Sequence, residues 1–153
     1  MKGSALTSQL KIILISMLIV LTKPCFASGT STFLSMSLTG LGAIYSWSID
    51  DREGLKQLAY GTALTEHNTF FFKKVIHRKR PDGTDYESFP SGDAALAFSG
   101  ASYLHFRYGY KWGIPTFIAA TAIGASRVNK NRHHWSDVGA GAALGILYGY
   151  MFT

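Results

Sequence analysis

The stretch ESFPSGDAALAF, residues 87–98, is a polar turn that runs directly into an Ala- and Leu-rich segment. Ser91 and Gly92 form a tight turn ahead of a helix. Their backbone N–H groups, with the positive end of the helix macrodipole, are placed to face an anion. Yet Asp93, an acid, stands in the first turn of the same helix.

Outward from this turn, five apolar segments of helical character cover residues 32–49, 55–72, 94–108, 114–125 and 138–152. Polar turns such as DDREG, RPDGTDYESFPSG and RYGYKWG separate them. Ala, Leu, Gly and Ser dominate the segments, so close-packed helices are favoured over strands. The fold class is all-α, a compact bundle of about five helices. Small residues spaced through DVGAGAALGILYGY allow helix backbones to approach closely, as in membrane bundles or in a tightly packed soluble one. A membrane-embedded bundle is the expectation, although segments of 12 to 18 residues are short for spans and residues 66–68 interrupt the second. Aromatic residues near segment ends, among them Trp47, Tyr110 and Trp135, suit an interfacial belt or a core.

The N-terminus carries Lys2 and Lys11, an apolar run over residues 12–21, and small residues before a possible cleavage point after Ala27. The run is half the length of a bilayer span. Residues 1–27 therefore read as a secretory signal peptide, with an uncleaved signal-anchor as the competitor, and residues 28–153 as the mature domain. Cleavage removes Cys25, the only cysteine, and with it any disulfide, zinc-thiolate or cysteine-nucleophile chemistry. It also takes the basic count from 15 to 12 against 9 acids. Residues 73–81 and 126–134 hold eight of those twelve basic residues, which points to anion binding by two segments that meet in the fold. Apolar neighbours and an export signal argue against nucleic acid as the partner.

Lys73 and Arg80 flank the end of the second segment, and Arg127 closes the fourth. His133 and Asp137, four apart at the start of the fifth, have a spacing that lets a carboxylate meet an imidazole on one turn. Cations, amide donors and a histidine with an orienting acid make up an inventory for phosphoryl transfer. HHWSD carries no convincing zinc site, so no metal is assigned. Glu66, His67 and His105 read as interior or interfacial groups, outside the catalytic set.

Residues 73–81 fit K-x-x-x-x-x-x-R-P, PSGD (90–93) resembles P-S-G-H, and SRVNKNRHHWSD (126–137) fits S-R-x-x-x-x-x-H-x-x-x-D. Together they resemble the type 2 phosphatidic acid phosphatase and vanadium haloperoxidase superfamily. The resemblance implies hydrolysis of a lipid phosphate or diphosphate, such as undecaprenyl diphosphate or phosphatidic acid, without metal or other cofactor. It makes His133 the nucleophile, carried through a phosphohistidine, and Asp137 the group that holds its tautomer. Lys73, Arg80, Ser91, Gly92 and Arg127 would bind the phosphate oxygens. A vanadate-dependent haloperoxidase is the other chemistry that this pocket allows.

The departure lies at Asp93, where the family has a proton-donating histidine. Asp93 can be a replacement donor, a helix cap, or the mark of a binding protein that has lost turnover. A diphosphate expels a phosphate monoester and needs little protonation, so a diphosphate substrate is the expectation from this departure. Five segments after a cleaved signal put all three motifs on the exported side. The expected location is the inner membrane, with the site facing the periplasm or cell exterior.

Overall fold

A computed structural model describes residues 29–153; the signal-peptide assignment and Cys25 lie outside the described residues. Five helices follow in order: α1 (Gly29–Ser48), α2 (Arg52–Val75), α3 (Gly92–Tyr108), α4 (Tyr110–Asn129) and α5 (Trp135–Phe152). Among the described residues there is no strand, only an isolated bridge between Arg78 and Glu87. The all-α expectation holds. No described helix is long and apolar enough to cross a membrane.

Each boundary has a local cause. Asp51 caps α2 by accepting from the Gly54 amide at 2.9 Å, so the helix starts within DDREG rather than after it. Gly109, at φ 86°, breaks the chain for one residue between α3 and α4. The helix then restarts at Tyr110, so α4 takes in the whole of YKWG, which the sequence reads as turn. Pro115 is accommodated inside α4, and Lys73–Val75 extend α2 past its apolar segment.

Helix α3 is the axis of the bundle. Every residue from Ala94 to Leu104 except Phe98 is buried, so it is enclosed on all sides rather than along one stripe. Leu38 of α1 and Ala119, Ala120 and Ile123 of α4 pack on Ala97 and Ala101. Leu58 and Trp112 pack on Tyr103 and Leu104. On the remaining side, Gly141, Gly145 and Gly149 of α5 lie against α3. A Cβ at each would strike the Ser91 carbonyl, the Ala95 carbonyl and the Ser102 hydroxyl, respectively. Here the small-residue reading of this segment is realised as backbone contact. At the end of α3, Asp51 accepts two bonds from Arg107, at 2.8 and 2.7 Å, and one from Tyr108 at 2.8 Å. The Arg107 bonds hold the Asp51 carboxyl well below the usual carboxylate range.

Alternation of direction brings the C-termini of α2 and α4 and the N-termini of α3 and α5 to the same end. The loop of residues 76–91 and the loop of residues 130–134 both close there. They are tied together: the Asp82 amide donates to the Asn131 carbonyl at 3.0 Å, and Arg132 Nη1 reaches Asp82 Oδ2 at 3.0 Å.

Candidate active site

A cavity of about 250 Å³ opens at that end. Lys73 and Glu66 come to it from α2, Gly92, Asp93 and Leu96 from α3, and Arg127 from the end of α4. The loops supply Arg80, Arg132 and His133, and Thr32 of α1 completes the wall. Six of the eight residues expected from sequence are thus brought together: Lys73, Arg80, Gly92, Asp93, Arg127 and His133. Ser91 and Asp137 are fully buried behind them.

Ser91 is the N-cap of α3. Its hydroxyl accepts from the Ala94 amide at 3.4 Å and its own N–H is spent on the Asp137 carbonyl at 2.9 Å. The structure does not bring its side chain to the cavity, contrary to the phosphate-binding expectation. Because Ser91 takes the cap, Asp93 does not. Its Oδ2 instead forms an ion pair with Arg127 Nε at 2.8 Å, with both side chains nearly excluded from solvent.

His133 is 3% exposed. Its Nδ1 lies 2.7 Å from the Ser88 carbonyl, which can only accept, so the proton sits on Nδ1. Arg80 Nη1, a donor only, lies 3.3 Å from Nε2 and is consistent with a lone pair there. Burial pulls the imidazole down to about 4, with Arg80, Lys73 and Arg127 adding to the effect and the Ser88 carbonyl opposing it. The ring is therefore neutral at pH 7, with Nε2 unprotonated.

The expectation that Asp137 holds this tautomer is corrected. Asp137 Oδ2 is 3.9 Å from His133 Nδ1, because α5 begins only at Trp135 and Asp137 is committed to its first turn. It accepts from the His134 amide at 2.8 Å in a capping box, and from the Ser88 hydroxyl. Arg78 Nη1 adds a bond of 2.7 Å. Asp137 fixes Ser88, and the Ser88 carbonyl fixes His133.

The cations are held as firmly. Lys73 Nζ donates to the Glu87 and Pro90 carbonyls, both at 2.8 Å, which leaves one of its three N–H bonds. Arg80 is anchored through Nε to Asp85 at 2.6 Å and through Nη1 to the Arg132 carbonyl at 3.2 Å. Its Nη2 has no hydrogen bond among the described residues. Sequence reasoning missed Ser88, Arg78, Asp85 and Arg132. Ser88 stands inside the quoted turn, but a role played by its carbonyl leaves no signature in residue type.

Residues 54–153 match the model of the PAP2 superfamily. The chain is 45% identical over 94 residues to a lipid A 1-phosphatase of Porphyromonas gingivalis, covering 60% of this chain and 21% of that protein. It is 31% identical over 119 residues to a lipid A 4'-phosphatase of Helicobacter pylori, covering 71% of this chain and 60% of the relative. The chain thus spans less than two thirds of the length of either. The crystal structure of Aquifex aeolicus LpxE superposes with a TM-score of 0.64 at 24% identity, covering 91% of this chain and 93% of that one, a likeness of fold. Motifs, helix order and the family match agree, and the chain belongs to the PAP2 superfamily.

Proposed function

We propose that the protein is a phosphatase that hydrolyses a lipid phosphate through a phosphohistidine on His133, without a metal ion. The observation that carries this reading is a neutral, buried imidazole whose unprotonated Nε2 faces a cavity ringed by Lys73, Arg80 and Arg127. In the attack, Nε2 forms a bond to phosphorus as the ester P–O bond breaks. Arg80, already 3.3 Å from Nε2, turns its donors to the phosphoryl oxygens, and Lys73 and the amides at the start of α3 share their charge. As the ring becomes cationic, the Ser88 carbonyl stabilises the Nδ1 proton. Water then cleaves the N–P bond.

The matched relatives are lipid A phosphatases, so a phosphate monoester on a glycolipid is the proposed substrate class. The site works on the exported side, delivered by residues 1–27, with the bundle seated against lipid. Large apolar side chains exposed on the outward sides of the helices support that seat, including Phe33 on α1, Phe70 on α2, Ile118 on α4 and Tyr150 on α5.

Purified protein should release phosphate from a lipid phosphate with a chelator present and give an acid-labile phosphoenzyme. His133→Gln should reduce both to background. Loss of activity with chelator, or full activity in His133→Gln, would refute the reading. Faster turnover of a lipid diphosphate would instead support the substrate expected from position 93. Phosphate binding without turnover would make the protein a binder.

A further inference from the structure

We propose that Glu66 is the residue that protonates the departing substrate oxygen, the task for which position 93 carries no histidine. The proposal rests on the phosphohistidine reading above. Glu66 lines the same cavity as His133, yet makes no hydrogen bond or ion pair among the described residues, although four cations share that cavity. The other acid there, Asp93, is engaged by Arg127 at 2.8 Å and so presents acceptors to the site. Two acids in one site thus differ in environment, which is the pattern that separates a proton donor from a charge partner. Glu66 is exposed at the cavity, and partial desolvation there, with the neighbouring Asp93 charge, pushes its carboxyl up from its ordinary value against a smaller pull from Lys73.

Its place on α2 suits the task. Glu66 precedes Lys73 by two helical turns, about 10 Å along the axis and on the same face. Lys73 in turn is bonded to the loop whose Ser88 carbonyl holds His133. Lys73, Arg127, His133 and Glu66 line one cavity, and the proposal requires a phosphate held there to lie between Nε2 and Glu66 for an in-line displacement. When the N–P bond forms and the ester P–O bond breaks, the electron pair stays on the leaving oxygen and the Glu66 proton passes to it. In the second half, the Glu66 carboxylate takes a proton from water. That water's oxygen bonds phosphorus, and the N–P electron pair returns to Nε2, which restores the protonated acid and releases phosphate.

The test compares the full-length protein with Glu66→Gln and Glu66→Asp on two monoesters, an alkyl phosphate and p-nitrophenyl phosphate, whose leaving group departs without a proton. Glu66→Gln should lose about 10²- to 10⁴-fold in kcat/KM, which reports the phosphorylation half alone, on the alkyl ester and less than about tenfold in kcat/KM on the nitrophenyl ester. Glu66→Asp should recover part of the alkyl activity. The alkaline limb of the wild-type alkyl profile, where Glu66 loses its proton, should vanish in Glu66→Gln. Equal losses on both esters, undiminished alkyl turnover, or a retained alkaline limb would overturn the assignment. The nitrophenyl activity of the same variant shows that the site is folded. The two readings fail separately, since turnover of both esters by His133→Gln would sink the phosphohistidine and leave the Glu66 comparison standing.

Discussion

At the scale of single residues, His133 is a burial cost that the fold carries. Its imidazole is pulled from an ordinary value of 6.5 to about 4 in the folded chain. Between those values the unfolded chain binds the proton that the folded one refuses, so stability rises with pH across this window. The contribution is fully present above pH 6.5 and is lost as pH falls toward 4, amounting to about 3 kcal/mol. Melting temperatures measured at pH 7 and pH 5 should fall further for the wild type than for His133→Gln. Equal falls would mean that the buried ring is not what titrates. Asp93 shows a different economy. Paired with Arg127, it holds in place a cation that a phosphate would also use.

Among the helices, the contact of α3 with α5 sets the geometry of the site, because it joins the two N-terminal ends that frame the cavity. At Gly145 a Cβ would fall on the Ala95 carbonyl and the Ser99 amide, neither of which can turn aside. Gly145→Ala should therefore destabilise by about 1–3 kcal/mol. Gly139→Ala, in the same helix but facing open space, should stabilise by up to about 1 kcal/mol. Thermal melts of the two variants check the contrast, and a shared sign would contradict the packing. This contact was legible in the sequence, since glycines in helical register have few other uses. So was the convergence of Lys73, Arg80, Arg127 and His133, because the spacing of charged motifs at segment ends survives any detail of packing. What could not be read was the wiring behind them. The i, i+4 spacing of His133 and Asp137 predicts a contact only if both are helical, and His133 lies before the first turn. Likewise α4 begins earlier than expected because one glycine suffices to turn the chain.

For the whole molecule, charge is less available than its count suggests. Of the eight basic residues in the two motif segments, Lys74, Arg78, Arg80, Arg127 and Arg132 are ion-paired with Glu87, Asp137, Asp85, Asp93 and Asp82. These acids, three in the loop of residues 76–91 and two in the first turns of α3 and α5, thus order the cations rather than leave a loose basic patch, which suits a small headgroup better than a long polyanion. The proposed exported orientation is checked at Thr84, an exposed position in the loop before Ser91. Thr84→Cys should react with a membrane-impermeant thiol reagent in intact spheroplasts, and labelling only after lysis would refute the orientation. The glycine contact reaches further than stability. With α3 and α5 touching through backbone, α5 lends the cavity no side chain and α3 only Asp93 and Leu96, so new headgroup preferences in descendants of this protein must arise mainly at those two, on α2 and in the two loops. A mutational library confined to those parts would sample most of the specificity open to the fold, and one aimed at Gly141, Gly145 and Gly149 would mainly return unfolded chains.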